Sequence, residues 1–142
     1  MNNHDTYREV LDKKGHLVSV VIGNSMHPLL RERKDSIHLV KLKNEPKRYD
    51  VVLYQRTNGE YIFHRILKVE KDKLIVCGDN QWKKETINRE QIIGIGIGFY
   101  RKEKYISSDD FWYKIYSRIQ VLLRPIRWLR DICKGIIKRI FK

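Results

Sequence analysis

Asp50-Val-Val-Leu-Tyr-Gln-Arg-Thr-Asn-Gly-Glu-Tyr-Ile-Phe-His-Arg-Ile-Leu-Lys-Val69 is the stretch from which the fold class is read. Two runs rich in Val, Ile, Tyr and Phe flank Asn58-Gly59, and that dipeptide between apolar runs is the strongest short-range signal for a β-hairpin. The pattern predicts strands over 50–55 and 61–69, with Thr57-Asn-Gly-Glu60 as the turn. Working outward, further short strands are expected at His16–Ile22, Ser36–Lys43, Leu74–Cys77 and Gln91–Arg101. Gly23-Asn-Ser25, the turn around Pro46 and the polar loop Gly78–Glu85 separate them. Ile93-Gly-Ile-Gly-Ile-Gly98 places glycines inside a strand, which points to a bulge, a bend or the close approach of another backbone. Thr6–Lys14 reads as a short helix closed by Gly15. Short strands at this spacing predict a mainly β domain over residues 1–107, a barrel or sandwich.

The pattern changes near Ser107. Ser107-Ser-Asp-Asp110 resembles a helix start with acids in its first turn. Beyond it, Ile115, Ile119, Leu122, Ile126, Leu129, Cys133, Ile136 and Ile140 recur at alternating steps of four and three residues, the apolar stripe of an amphipathic helix. Pro125 either kinks that helix or opens a second one. Residues 108–142 are therefore expected to form a basic helical tail.

Charge divides along the same line. The tail holds nine Lys/Arg against three Asp, which is +6 of the chain's net +13. So basic a chain favours anionic partners: acidic lipid, nucleic acid or acidic protein. No helix-turn-helix, zinc or RNP-type pattern is present, and the cations concentrate on the tail, which counts against a nucleic-acid-binding module. Cys77 and Cys133 stand alone, giving neither a disulfide framework nor a zinc spacing. Met1-Asn-Asn-His-Asp5 is polar and reads as no signal peptide. No run of about 18 apolar residues exists to cross a bilayer as a simple helix.

Three patches carry possible chemistry. Gly23-Asn-Ser-Met-His-Pro28 puts a serine on a loop straight after an apolar strand. Tyr61-Ile-Phe-His-Arg65 puts His64 on one face of a strand, and imidazole is the best general base for a serine hydroxyl at neutral pH. Cys77-Gly-Asp-Asn-Gln-Trp-Lys-Lys-Glu85 supplies carboxylates that can orient a histidine. Taken singly, each also has a plain structural reading: a strand-end turn, a half-buried histidine satisfied by a carbonyl, and an Asx-turn.

In this order the patches resemble the signal peptidase I superfamily, which also holds the self-cleaving repressors. Gly23-Asn-Ser25-Met26-His-Pro28 is similar to its nucleophile box. Asp50-Val-Val-Leu-Tyr54 is similar to the strand that follows, with Tyr49 where Gly is usual. Tyr61-Ile-Phe-His64-Arg65 is similar to the base box of the endoplasmic-reticulum and archaeal type, which carries His where bacterial signal peptidases carry Lys. Gly78-Asp79-Asn80 matches the third box, and Gln91-Ile-Ile-Gly94 the closing strand, so the resemblance spans roughly 17–100. Two departures stand out. The family's second Asp, six residues past the first, is Glu85 here, and the N-terminal transmembrane anchor usual in signal peptidases is not expected from the polar start.

The resemblance implies the superfamily's coiled β-domain and a serine endopeptidase that cleaves signal or leader-type peptides. Ser25 would be the nucleophile, His64 the base, and Asp79 or Glu85 the acid beside it. No metal or cofactor is implied. The substrate would be a peptide in extended conformation with small side chains near the cut. An inactive, peptide-binding relative is the alternative, with Glu85 as its best support. For residues 108–142 the expectation is a peripheral seat on an anionic membrane surface, on its cytoplasmic face, with packing on the β-domain or on a second copy as the alternative.

Overall fold

The computed structural model describes residues 6–142; the polar start at 1–5 and its reading as no leader lie outside the described residues. Helix α1 (Tyr7–Lys14) opens with a capping box. Thr6 Oγ accepts the Glu9 N–H at 3.2 Å, and the Glu9 carboxylate accepts the Thr6 N–H at 3.0 Å. Eight strands follow: β1 (His16–Val20), β2 (Ser36–Lys41), β3 (Val51–Gln55), β4 (Tyr61–Val69), β5 (Lys73–Cys77), β6 (Glu85–Asn88), β7 (Ile92–Arg101) and β8 (Lys104–Ser107). Two helices close the chain, α2 (Phe111–Leu122) and α3 (Arg124–Ile140).

All strand pairings are antiparallel, in the order β1-β2-β7-β3-β4-β5-β6. β7 is the longest strand and the hub. One edge pairs with β2; the other takes β3 along its first half and β8 along its second. β3 reads Val-Val-Leu-Tyr with no polar alternation, and the reason is burial on both faces. Val51 and Leu53 enter one core with Leu11, Met26, Leu30 and Phe99, while Val52 and Tyr54 enter a second with Ile66, Val76 and Ile87. The curled sheet thus has a core on each side. The glycines of β7 answer to two of the expected causes. The β2–β7 register shifts past His38, leaving Ile97 bulged, and the Tyr105 ring crosses Gly98, where a Cβ would fall 2.0 Å from its hydroxyl.

The tail forms two helices, with Pro125 in the first turn of α3, where its missing N–H costs nothing. α2 is attached to the sheet. Tyr113 is buried in the first core against Phe99, ring centroids 4.9 Å apart, and Asp110 caps the helix by accepting the Tyr113 N–H at 3.0 Å. α3 is different. Ile126, Leu129, Ile136 and Ile140 are each at least half exposed, so its apolar stripe faces away from the domain. Among the described residues no helix is long and apolar enough to cross a membrane.

Candidate active site

The loop between β1 and β2 carries Ser25 and is tied from below. Met26, Leu29 and Leu30 are buried in the first core. Asp35, fully buried, accepts the Arg31 backbone N–H at 2.7 Å and its guanidinium at 2.8 and 2.9 Å. Arg33 N–H returns to the Val21 carbonyl at 2.8 Å. Gly23 sits at φ +88°, a left-handed turn that favours glycine and points the next residues out of the strand. Ser25 is left half-buried on a fixed loop.

The loop after β5 lies against it. Asn80 donates its N–H to the Ser25 carbonyl at 2.9 Å and its Nδ2 to the Asn24 carbonyl at 3.1 Å. Gly78 has no room for a side chain, because a Cβ there would sit 2.5 Å from the Ser25 carbonyl oxygen and 3.1 Å from Ser25 Cβ. Arg65 pairs with Cys77 across β4 and β5, so the register carried one step further sets Gly78 beside His64. Cross-strand partners project to the same face, so Gly78 and His64 share one face of the sheet. Among the described residues no hydrogen bond joins the two side chains, and the Ser25 N–H is also unbonded.

His64 is buried on β4. Its Nδ1 lies 3.0 Å from the Tyr54 hydroxyl, which donates to Glu85 Oε1 at 2.9 Å. Arg56 holds that carboxylate through Nη2 at 2.7 Å and Nε at 3.1 Å. Arg56 keeps Glu85 below the usual carboxylate range, so Glu85 is an anion at neutral pH. Burial lowers His64 to about 4, against an opposing pull from Glu85, so the imidazole is neutral at pH 7. Burial, then Glu85, raises the Tyr54 phenol and keeps it protonated. A cleft bordered by His64, Arg56, Gln81, Trp82, Glu85 and Asp131 opens beside this group.

Asp79 sits elsewhere. Both its oxygens face the guanidinium of Arg65, at 2.8 Å to Nε and 2.8 Å to Nη2, and the Tyr116 hydroxyl donates to it at 2.9 Å. Arg65 is itself buried and also donates to the Tyr49 carbonyl and the Tyr113 hydroxyl. A planar fork that matches both carboxylate oxygens leaves none of them for the imidazole. Of the two carboxylates expected beside His64, Asp79 therefore makes no hydrogen bond to it, and Glu85 reaches it only through Tyr54. Sequence reasoning missed Tyr54, Arg56 and the burial of Arg65.

The tail also meets this site. Arg124, Arg127 and Arg130, spaced three apart on one face of α3, donate to the backbone carbonyls of Trp82, Gln81 and Asn80 at 3.0, 2.6 and 2.9 Å. The loop that supports Ser25 is thus gripped from outside by the basic face of the helix whose apolar face is open. No protein-family model, curated protein or solved structure matches the chain.

Proposed function

We propose that this chain is a serine endopeptidase of the signal-peptidase type, with Ser25 as nucleophile and His64 as general base on that superfamily's coiled β-domain. The observation that carries the reading is the packing of Gly78 on Ser25, on the face of the sheet to which His64 projects. A neutral imidazole and a serine hydroxyl on rigid neighbouring elements are the minimum needed for acyl transfer. Ser25 Oγ attacks the peptide carbonyl as its proton passes to His64 Nε2. The tetrahedral adduct collapses, and the same proton goes to the leaving amine. Water, deprotonated by His64, then releases the acyl group and restores Ser25. The unbonded Ser25 N–H is available to the oxyanion.

The substrate lies extended along the open edge of β1, which among the described residues pairs only with β2 and exposes Val18 and Val20. Such an edge takes an added strand through backbone hydrogen bonds. The exposed stripe of α3, with the exposed Trp128 and Phe141 at the same helix and Trp112 exposed on α2, rests on an anionic membrane surface at its cytoplasmic face, and the tail cations not held at 80–82 meet lipid phosphate. Cleavage of peptides rich in small residues by the pure protein, and its loss in Ser25→Ala, tests the peptidase reading.

A further inference from the structure

Tyr54 stands between the imidazole and the Glu85 carboxylate, 3.0 Å from one and 2.9 Å from the other. A phenol carries one proton and cannot give it to both neighbours. Glu85 is ionised and paired with Arg56, so it can only accept. A hydrogen bond to an anion is roughly twice as strong as a neutral one, so the phenolic proton goes to Glu85 Oε1. The oxygen then offers His64 Nδ1 a lone pair at 3.0 Å, and that contact is a hydrogen bond only when Nδ1 carries the ring proton. With Nδ1 protonated, the lone pair of the neutral ring sits on Nε2.

We infer that Tyr54 is a positioning residue: its hydroxyl fixes His64 as the Nδ1–H tautomer and links it to Glu85, which acts on the histidine through Tyr54. This rests on the peptidase reading for its use in catalysis, while the tautomer itself does not. In a Ser-His-carboxylate triad the acid bonds Nδ1–H directly. Here a tyrosine fills that place and the acid stands one hydrogen bond further out, held by Arg56. When the ring takes the serine proton, the imidazolium is stabilised along Nδ1–H, Tyr54 Oη–H and the Glu85 carboxylate, and each bond strengthens the next. Tyr54 keeps its proton throughout, so the chain orients and polarises without moving a second proton. Packing reinforces the geometry. The two rings meet edge to face, centroids 5.9 Å apart, and Tyr54 is fully buried, so neither ring can swing away.

The test is Tyr54→Phe, which removes only the hydroxyl, read by two independent measurements on the full chain. Long-range ¹H–¹⁵N NMR of histidine-labelled protein at pH 7 is expected to find His64 neutral and protonated at Nδ1 in the wild type, and shifted toward Nε2–H in Tyr54→Phe. Peptide cleavage by the variant is expected to fall on the order of 10²-fold in kcat with KM nearly unchanged. Glu85→Gln should also slow kcat, and the double variant should be no slower than Tyr54→Phe alone, because one residue works through the other. Should Tyr54→Phe not fold, Glu85→Gln carries both readouts. A wild-type tautomer at Nε2–H, or a Tyr54→Phe protein with wild-type tautomer and kcat, overturns the inference. If the wild type cleaves nothing, the peptidase reading fails while the NMR result still decides the role of Tyr54.

Discussion

His64 is the group whose burial gives the proposed site its expected response to pH. Its neighbours are Tyr54 on β3, Arg56 beyond it, Glu85 on β6 and, at longer range, Asp79; burial, joined by Arg56, outweighs the two carboxylates and sets the ring near 4. Cleavage should therefore be flat from about pH 5.5 to neutrality and fall on an acid limb near 4, well below the usual histidine limb. Stability follows the same group. The unfolded ring titrates near the usual 6.5, so between that value and about 4 the unfolded chain binds more protons than the folded one. The contribution is full above pH 6.5 and is lost as pH falls toward 4, by up to about 3 kcal/mol. A pH–rate profile and thermal melts over pH 3.5–8 check both. An acid limb at 6–7 would mean that His64 is open to water or is not the base. In His64→Ala the dependence of stability on pH in that window should shrink.

Among the elements, the loop from Cys77 to Glu85 separates two carboxylate roles. Asp79→Asn leaves the Arg65 guanidinium buried without its counter-charge, and breaking a buried pair costs about 3–5 kcal/mol. Glu85→Gln loosens a partly exposed pair with Arg56, worth at most about 1 kcal/mol, and should lower turnover with little change in stability. Denaturant midpoints and kcat for the two variants check this; equal unfolding penalties, or a turnover loss confined to Asp79→Asn, would contradict it. The paired strands around this loop were legible because their apolar runs are long and their breaks are marked by Gly, Asn or Pro. β6 was not: Glu85-Thr-Ile-Asn88 has one apolar side chain, Ile87, and sits in a polar stretch. β8 was hidden because its turn runs through Lys102 and Glu103, both at positive φ, where Asn or Gly is the usual signal. Ser25, His64 and Glu85 could be named from motif order, but Tyr54 could not. A two-residue Asn58-Gly59 turn would pair Thr57 with Glu60 and put Tyr54 on the face away from His64. In the structure Gln55 pairs with Tyr61 and Arg56 N–H meets the Glu60 carbonyl, so the loop is one residue longer. Val52 then opposes His64, and Tyr54 lands diagonally beside it on the same face.

For the whole molecule, the tail grips the β-domain with its basic face and leaves its apolar face open. Its apolar periodicity was readable, but which side of the helix would meet the domain was not, since an apolar stripe ordinarily packs inward. Here three arginines satisfy carbonyls at 80–82 and turn the stripe outward. Each cation near an acidic bilayer adds about 1 kcal/mol, so the tail cations not held at 80–82, with an exposed apolar stripe, should bring the protein down with acidic-lipid vesicles at low salt and release much of it at high salt. A protein left in the supernatant at low salt would contradict the membrane seat. The peptidase claim is separable from it and is tested most directly by cleavage of a small-residue peptide library by pure wild type, Ser25→Ala and His64→Ala, with folding verified by circular dichroism. Turnover is expected from the wild type, none from Ser25→Ala and a loss of at least about 10²-fold in His64→Ala. Turnover that survives in folded Ser25→Ala would contradict the peptidase claim.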